Sequence, residues 1–350
     1  MRNIICIICM VASFCACSTS KKSQTAEQPV VGIAFSADSA YAFCEAQCAF
    51  GPRTMNSEAH ERCAQWIQQQ FARYGYQVAL QKADLRGYDG TLLRSTNIIA
   101  AAPAPSSAAA PAPSSAAAPE GSPSVLTAPS VSKPRILITA HWDSRPWADN
   151  DPDSANWRKP VMAANDGASG VAVMLELARL LQQHDSARVA VDFICFDAED
   201  WGIPMWEEAS DGDSWALGAQ HWAAHPAPLV PASYEYAILL DMVGGQGARF
   251  FQEGYSMRYA RSVVERVWQA AATAGYGSFF PSQEGGWITD DHVPVNEVAR
   301  IPCIDIISHY PDCEASNFGP TWHTVGDDMQ HIDRTTLQAV GQTLVQLIYQ

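Results

Sequence analysis

Apolar and polar positions along this chain switch between a helical period and short continuous runs, and the switching marks out its elements. Residues 41–49 read as a first helix. In 57–74 Cys63, Ile67 and Phe71 recur at helical spacing and predict a second. Short strands are expected at 78–81 and 96–101. Four apolar runs then follow at 135–140, 188–196, 236–241 and 301–307. Helical patterns separate them at 167–183, where Val171, Met174, Leu175, Ala178 and Leu181 share a face, and at 214–224 and 257–274. A last helix is expected at 334–349. Strands alternating with helices in this way predict a predominantly parallel sheet covered on both faces. The expected fold is α/β: a three-layer αβα sandwich with a mostly parallel, mixed central sheet, formed by residues 36–350 as one domain.

Two segments fall outside that pattern. Residues 103–110, Pro-Ala-Pro-Ser-Ser-Ala-Ala-Ala, repeat without change at 111–118. A repeat with no large apolar group cannot build a core, so 102–133 is expected to be a disordered surface insertion between two strands. At the N-terminus one arginine precedes an apolar run of roughly 14 residues, too short to span a bilayer comfortably and typical of a secretory signal. Cys17 follows Ala16 and precedes a polar stretch, an arrangement that resembles a bacterial lipoprotein cleavage site; plain cleavage near Ala16 is the alternative. The expectation is a signal peptide over 1–16, a tether over 17–35, export to the periplasm or outer membrane, and membrane attachment only through a lipid anchor at Cys17.

Composition narrows the function. With 47% apolar residues in 350, the chain can bury a large core. A net charge of −15 argues against nucleic acid as a partner, which would need basic patches. Of the cysteines beyond residue 17, Cys195 and Cys303 lie in apolar strands and read as small core residues. Cys44, Cys48, Cys63 and Cys313 lack the paired spacing of a thiolate metal site, and their pairing is left open by the sequence.

The chemistry concentrates at strand ends. His141 and Asp143 close the 135–140 strand, Asp166 precedes a helix in Asn-Asp-Gly-Ala-Ser-Gly, and Glu199 and Asp200 follow the next strand. Asp241 ends Ala-Ile-Leu-Leu-Asp, and His323 stands in Trp-His-Thr-Val-Gly-Asp. Carboxylates and imidazoles are zinc-binding types, and the carboxyl ends of parallel strands are where open α/β sheets place their sites. Taken alone, Asp166 reads equally well as a helix N-cap.

Together, His-x-Asp, Asn-Asp-x-Ala-Ser-Gly, Glu-Asp, Leu-Asp-Met and His-Thr-x-x-Asp resemble the M28 metallopeptidase superfamily. Within it, the chain is similar to glutaminyl cyclases, the glutaminyl-peptide cyclotransferases of the animal type and their bacterial relatives. Thr289-Asp290-Asp291-His292-Val-Pro294 looks like the cyclase Asp-Asp-His-x-Pro, and Trp322 and Phe318 stand before the histidine as in that family. The resemblance implies a zinc aminopeptidase-like fold and one zinc per chain on Asp166, Asp200 and His323. It also implies Glu199 as catalytic acid/base, with Asp290 and Asp241 as its network partners. Trp322, Phe318, Trp206 and Thr289 would line the substrate pocket, although Trp206 reads equally well as an ordinary aromatic; His292 and His309 read as structural. Asp200 stands where the animal enzymes carry glutamate, one methylene longer. The implied reaction closes an N-terminal Gln of a peptide or protein to pyroglutamate, releasing ammonia. An M28 zinc aminopeptidase is the alternative, since all five potential ligands, His141, Asp166, Asp200, Asp241 and His323, are intact.

The residues support that chemistry independently. The α-amine of an N-terminal Gln is already tethered to the amide it attacks, so no separate nucleophile is required. One zinc suffices as Lewis acid, and one carboxylate can move the proton from amine to leaving nitrogen. A silent binding protein on the same fold would be expected to have lost a ligand or the base, and none is lost.

Overall fold

Four strands form the parallel centre of the sheet: β3 (Arg135–His141), β4 (Ala190–Phe196), β5 (Ala237–Asp241) and β7 (Cys303–His309). Almost every residue in them is buried, because helices cover both faces and leave no side for polar alternation. In this computed structural model, residues 29–103, 133–208 and 214–350 are described, except 226 and 232.

A hairpin of two ten-residue strands, β1 (Gln77–Arg86) and β2 (Leu92–Ala101), adds antiparallel to the β4 side. Two-residue β6 (Arg249–Phe250) closes the other edge against β7. The order is β1-β2-β4-β3-β5-β7-β6. The expected mixed, mostly parallel sheet is present. β1 is longer than its apolar run because an edge strand is half exposed and tolerates Lys82, Asp84 and Arg86; its burial pattern is mixed throughout.

Successive residues of each strand feed opposite layers. Ile136, Ile138 and Ala140 of β3 join the larger core, and Leu137 joins the smaller one. The larger core lies under α1 (Ala37–Cys48), α2 (Glu58–Arg73), α3 (Ala168–Gln183), α5 (Gly254–Thr273) and α7 (Arg334–Tyr349). The smaller is covered by α4 (Leu217–Ala224) and α6 (His292–Glu297). Each expected helix is present; α6 and β6 were too short to show a period.

Residues 29–35, expected to belong to the tether, instead lie along α7. Gln346 Oε1 accepts from Val31 N at 2.9 Å and Gln342 Oε1 from Phe35 N at 2.8 Å. Phe35 lies over Gly341, where a Cβ would come within 2.4 Å of its ring, and burying that ring stabilises the join by roughly 1.5–3 kcal/mol. The expected signal segment, Cys17 and nearly all of the expected insertion fall outside the described residues. Among the described residues no helix is long and apolar enough to cross a membrane, and the six cysteines are unpaired. Cys195 and Cys303 are buried in strands, as expected.

The chain passes from β3 to β4 on one side and then crosses back to β5 on the other. This reversal opens a crevice at the carboxyl ends of β3 and β5, the usual ligand position in such sheets.

Candidate active site

His141 and Asp241 terminate the two strands that border the crevice. Asp166 reaches it from the turn before α3. It is not the helix cap: Gly167 holds that position, with no side-chain capping bond. The glycine is required there, since φ is +103° and a Cβ would lie 2.6 Å from Asp143 O. Gly170 serves packing, because a Cβ there would sit 2.3 Å from Leu240 O at the end of β5. The carboxylate of Asp327 accepts from Asn165 N and Asp166 N at 2.8 and 3.0 Å and fixes this turn. Beyond β4, the Asp143 carboxylate accepts from Glu199 N at 3.1 Å and Asp200 N at 3.2 Å. Ala198, Met242 and His323 all have left-handed φ, between 49° and 55°. For residues with a Cβ this is strained by order 1–3 kcal/mol each, and such strain gathers at functional sites.

Two acidic sets share Asp166. In one, His323 Nε2 lies 3.4 Å from Asp200 Oδ1 and 3.7 Å from Asp166 Oδ2. In the other, His141 Nε2 lies 2.9 Å from Asp166 Oδ1 and 3.2 Å from Asp241 Oδ1. Within each set the donor atoms lie within 4.8 Å of one another. The first set fits zinc on two further counts. Asp200 Oδ2 is buried with no hydrogen-bond partner, so a coordination position is open on it. His323 Nδ1 faces Asp149 Oδ1 at 3.5 Å, and Arg145 pins Asp149 through two contacts of 2.7 Å; such outer partners fix a ligating ring. Burial, reinforced by Arg145, pushes the His323 imidazole well below its ordinary range and keeps it in the neutral form that ligates. His141 behaves in the opposite way. Burial would lower it, but its hydrogen bonds with Asp143, Asp166 and Asp241 outweigh that and raise it well above the usual value.

A cavity of about 460 Å³ opens over the first set, with Glu199, Asp241 and Asp290 on its wall. Burial pushes Glu199 well above the ordinary carboxylic range, with Asp290 and Asp200 adding to it. Burial and the neighbouring Asp290 raise Asp241 to about 8. Burial raises Asp290 as well. Crowded carboxyl groups of this kind titrate together and share protons.

Thr289, Phe318 and Trp322 line the cavity, as the sequence suggested. The rings of Trp322 and Phe318 lie 5.0 Å apart, and Trp322 stacks on His323 at 3.7 Å. Trp206 is elsewhere. It stacks on Trp157, meets Trp147 edge-on and carries the Arg158 guanidinium, and it is not among the residues lining this cavity. Its place on the wall is taken by Trp215, parallel to His323 at 5.8 Å. Trp287, Ile288 and Ile307 also line the cavity and were missed. Buried Asp291 and Asp305, pushed well up by burial and by Asp290, were missed too. A carboxylate inside the apolar run of β7 was the available signal for Asp305. His292 is fully buried, with Nε2 3.1 Å from Glu253, and shares a third buried group of possible ligands with Asp290 and Asp305; His309 is half-buried against Phe251.

The chain is 30% identical over 222 residues to aminopeptidase YwaD of Bacillus subtilis, covering 61% of this chain and 40% of that one. It is 26% identical over 250 residues to the glutaminyl-peptide cyclotransferase of Bos taurus, covering 63% of each. The chain thus spans less than two thirds of the curated relatives it matches. Among solved structures, Tannerella forsythia glutaminyl cyclase superposes with a TM-score of 0.80 at 43% identity, over 91% of this chain and 99% of that one. The Bacteroides thetaiotaomicron glutaminyl cyclase bound to N-acetylhistamine gives 0.79 at 42%, over 91% and 98%. A Zn-dependent exopeptidase from Parabacteroides distasonis gives 0.79 at 43%, over 91% and 99%. Residues 125–348 match the pattern of Peptidase family M28. On that match and on its strand-end ligand sets, the chain belongs to peptidase family M28.

Proposed function

We propose that this protein is a zinc-dependent glutaminyl-peptide cyclotransferase, converting N-terminal Gln of peptides and proteins to pyroglutamate with release of ammonia. The observation that carries the reading is the buried Asp241–Asp290 pair beside Glu199 on the wall of a small cavity. A peptidase needs a base and a hydroxide. A cyclase needs instead a site that holds protons while an internal amine attacks, and three crowded carboxyl groups supply that. The bacterial cyclases that superpose on nearly the whole chain support the same reading.

Asp166, Asp200 and His323 would hold one zinc, and its chemistry there would be Lewis acidity toward the γ-amide carbonyl. Glu199 accepts a proton from the α-amine as the new N–C bond forms. It then delivers that proton to the departing nitrogen as the C–NH2 bond breaks. Asp290 and Asp241 hold a shared proton against the tetrahedral carbon's neighbourhood, where separated charges would be costly in a buried site. Trp322, Phe318 and Thr289 enclose the short side chain and keep the amine close to the amide. We further propose that the protein is exported and held to a membrane by acylation of Cys17, a reading supported by the sequence of residues 1–17.

The intact His141, Asp166 and Asp241 set, which shares Asp166 with the first, favours a second reading, an aminopeptidase in which the two sets would hold two metals. Mass spectrometry of a Gln-initiated peptide incubated with the purified protein separates the two. Loss of one ammonia with the peptide otherwise intact is the expected result; loss of the first residue would establish the peptidase.

A further inference from the structure

Trp287 is the one exposed tryptophan of the eleven in this chain, at 64%. Single apolar residues on a surface are ordinary, but this one is fixed in place. Its ring lies on the backbone of Gly254, where a Cβ would come within 2.5 Å of the indole. It meets Tyr255 edge-on at 5.0 Å and 89°, and Tyr255 in turn lies parallel to Tyr259 at 6.3 Å.

The backbone beneath is stitched to α5. Gln252 N donates to Gln283 O at 2.9 Å, Gly285 N to Gln252 O at 2.8 Å and Gly254 N to Gly286 O at 2.9 Å. Glu253, 1% exposed, accepts from Tyr255 N, Ser256 N, Ile288 N and Ser256 Oγ at 2.7–3.0 Å. One carboxylate therefore fixes both the start of α5, with Tyr255, and the segment carrying Trp287. The same Trp287 lines the cavity whose wall holds Glu199 and Asp290. The result is a rigid aromatic shelf continuous with the cavity and open to solvent above.

We infer that Trp287, backed by Tyr255, is a specificity-determining subsite for the residue that follows the N-terminal glutamine, favouring an aromatic or large aliphatic side chain there. The inference rests on the cyclase reading. A glutamine whose α-amine and γ-amide meet beside Glu199 must send its own carbonyl, and the chain beyond it, out through the mouth. The next side chain then passes the rim, where Trp287 offers an apolar face whose ordering is already complete. Edge or face contact with an aromatic ring adds selectivity beyond buried area.

The test compares Gln-Phe-Ala-amide with Gln-Gly-Ala-amide on the zinc-loaded full-length protein, following ammonia release. Wild type is expected to favour the Phe peptide by roughly two- to twelvefold in kcat/KM, the range an aromatic contact supplies. Trp287→Ala should bring the ratio close to one, and Trp287→Phe, which keeps a ring on Gly254, should retain much of it. A wild-type ratio near one, or a ratio unchanged in Trp287→Ala, overturns the subsite. If the first residue is released instead of ammonia, the cyclase reading has failed. The same ratio is then read on released glutamine, so the subsite is judged separately.

Discussion

Glu199→Gln isolates proton transfer from metal binding. The side chain is replaced at nearly constant shape in a position 9% exposed, and the backbone bonds from residues 199 and 200 to Asp143 are untouched. None of the three proposed ligands is altered, so zinc content should stay at the wild-type level. Turnover should fall by about 10²–10⁴, the usual contribution of a positioned acid/base, equivalent to about 2.7–5.5 kcal/mol at about 1.36 kcal/mol per tenfold. KM should change only a few-fold, because the lost interaction belongs to the transition state. Thermal stability supplies an internal control. Burial raises the folded-state Glu199 well above its unfolded value. Folding therefore takes up a proton once the pH exceeds the ordinary glutamate range, and the associated stability falls as pH rises. Gln carries no such cost, so the metal-free variant should melt at or above the wild-type temperature at pH 7. The assays are ammonia release, metal analysis by plasma mass spectrometry and calorimetry. Zinc lost together with activity would show that Glu199 and Asp200 have exchanged roles; turnover within a few-fold of wild type would remove Glu199 from the mechanism.

The remaining expectations concern metal number, pH and the insertion. Metal analysis should give one zinc per chain, abolished by His323→Ala and retained by His141→Ala; two zincs, with loss in His141→Ala, would move the assignment to an aminopeptidase. In the metal-free protein Asp241, raised to about 8 in the folded state, should contribute stability at acid pH that is lost as pH rises from about 4 to about 8. Asp241→Asn should flatten that part of a melting-temperature profile, and an unchanged profile would refute the shift. Deleting residues 104–132 and joining the ends with a short turn should leave turnover within a few-fold. β2 ends and β3 begins at the same end of the sheet with only β4 between them, roughly 10 Å apart. A hundredfold loss in a folded deletion would show that the segment shapes the site.

Local pattern and site chemistry were legible to different depths. The central strands and all the long helices were readable because they are buried on a fixed period, and period survives in a single sequence. The elements that escaped, β6 and α6, are shorter than any period can mark. Asp241 could be singled out because it is polar where the chain has just been apolar, and Asp166, Asp200 and His323 because they stand in the M28 motif set. Trp206 shows the limit of that approach. A tryptophan in a loop near a ligand looks the same in sequence whether it faces the cavity or, as here, packs on Trp157 and Trp147.

By itself the sequence determined the alternation of elements, the residue types at the strand ends and the M28 motif set, since each depends only on near neighbours in the chain. Tertiary structure decided what those residues meet. It turned Asp166 from a plausible helix cap into a group shared by two ligand sets, because Gly167 took the cap and Asp327 fixed the turn. It brought Asp305 of β7 near Asp290, and Trp287 onto Gly254, through contacts between separate segments of the chain. Burial then set the proton affinities of Glu199, Asp241 and Asp290. Desolvation depends on everything packed around a carboxyl group, and that surrounding exists only once the chain has folded.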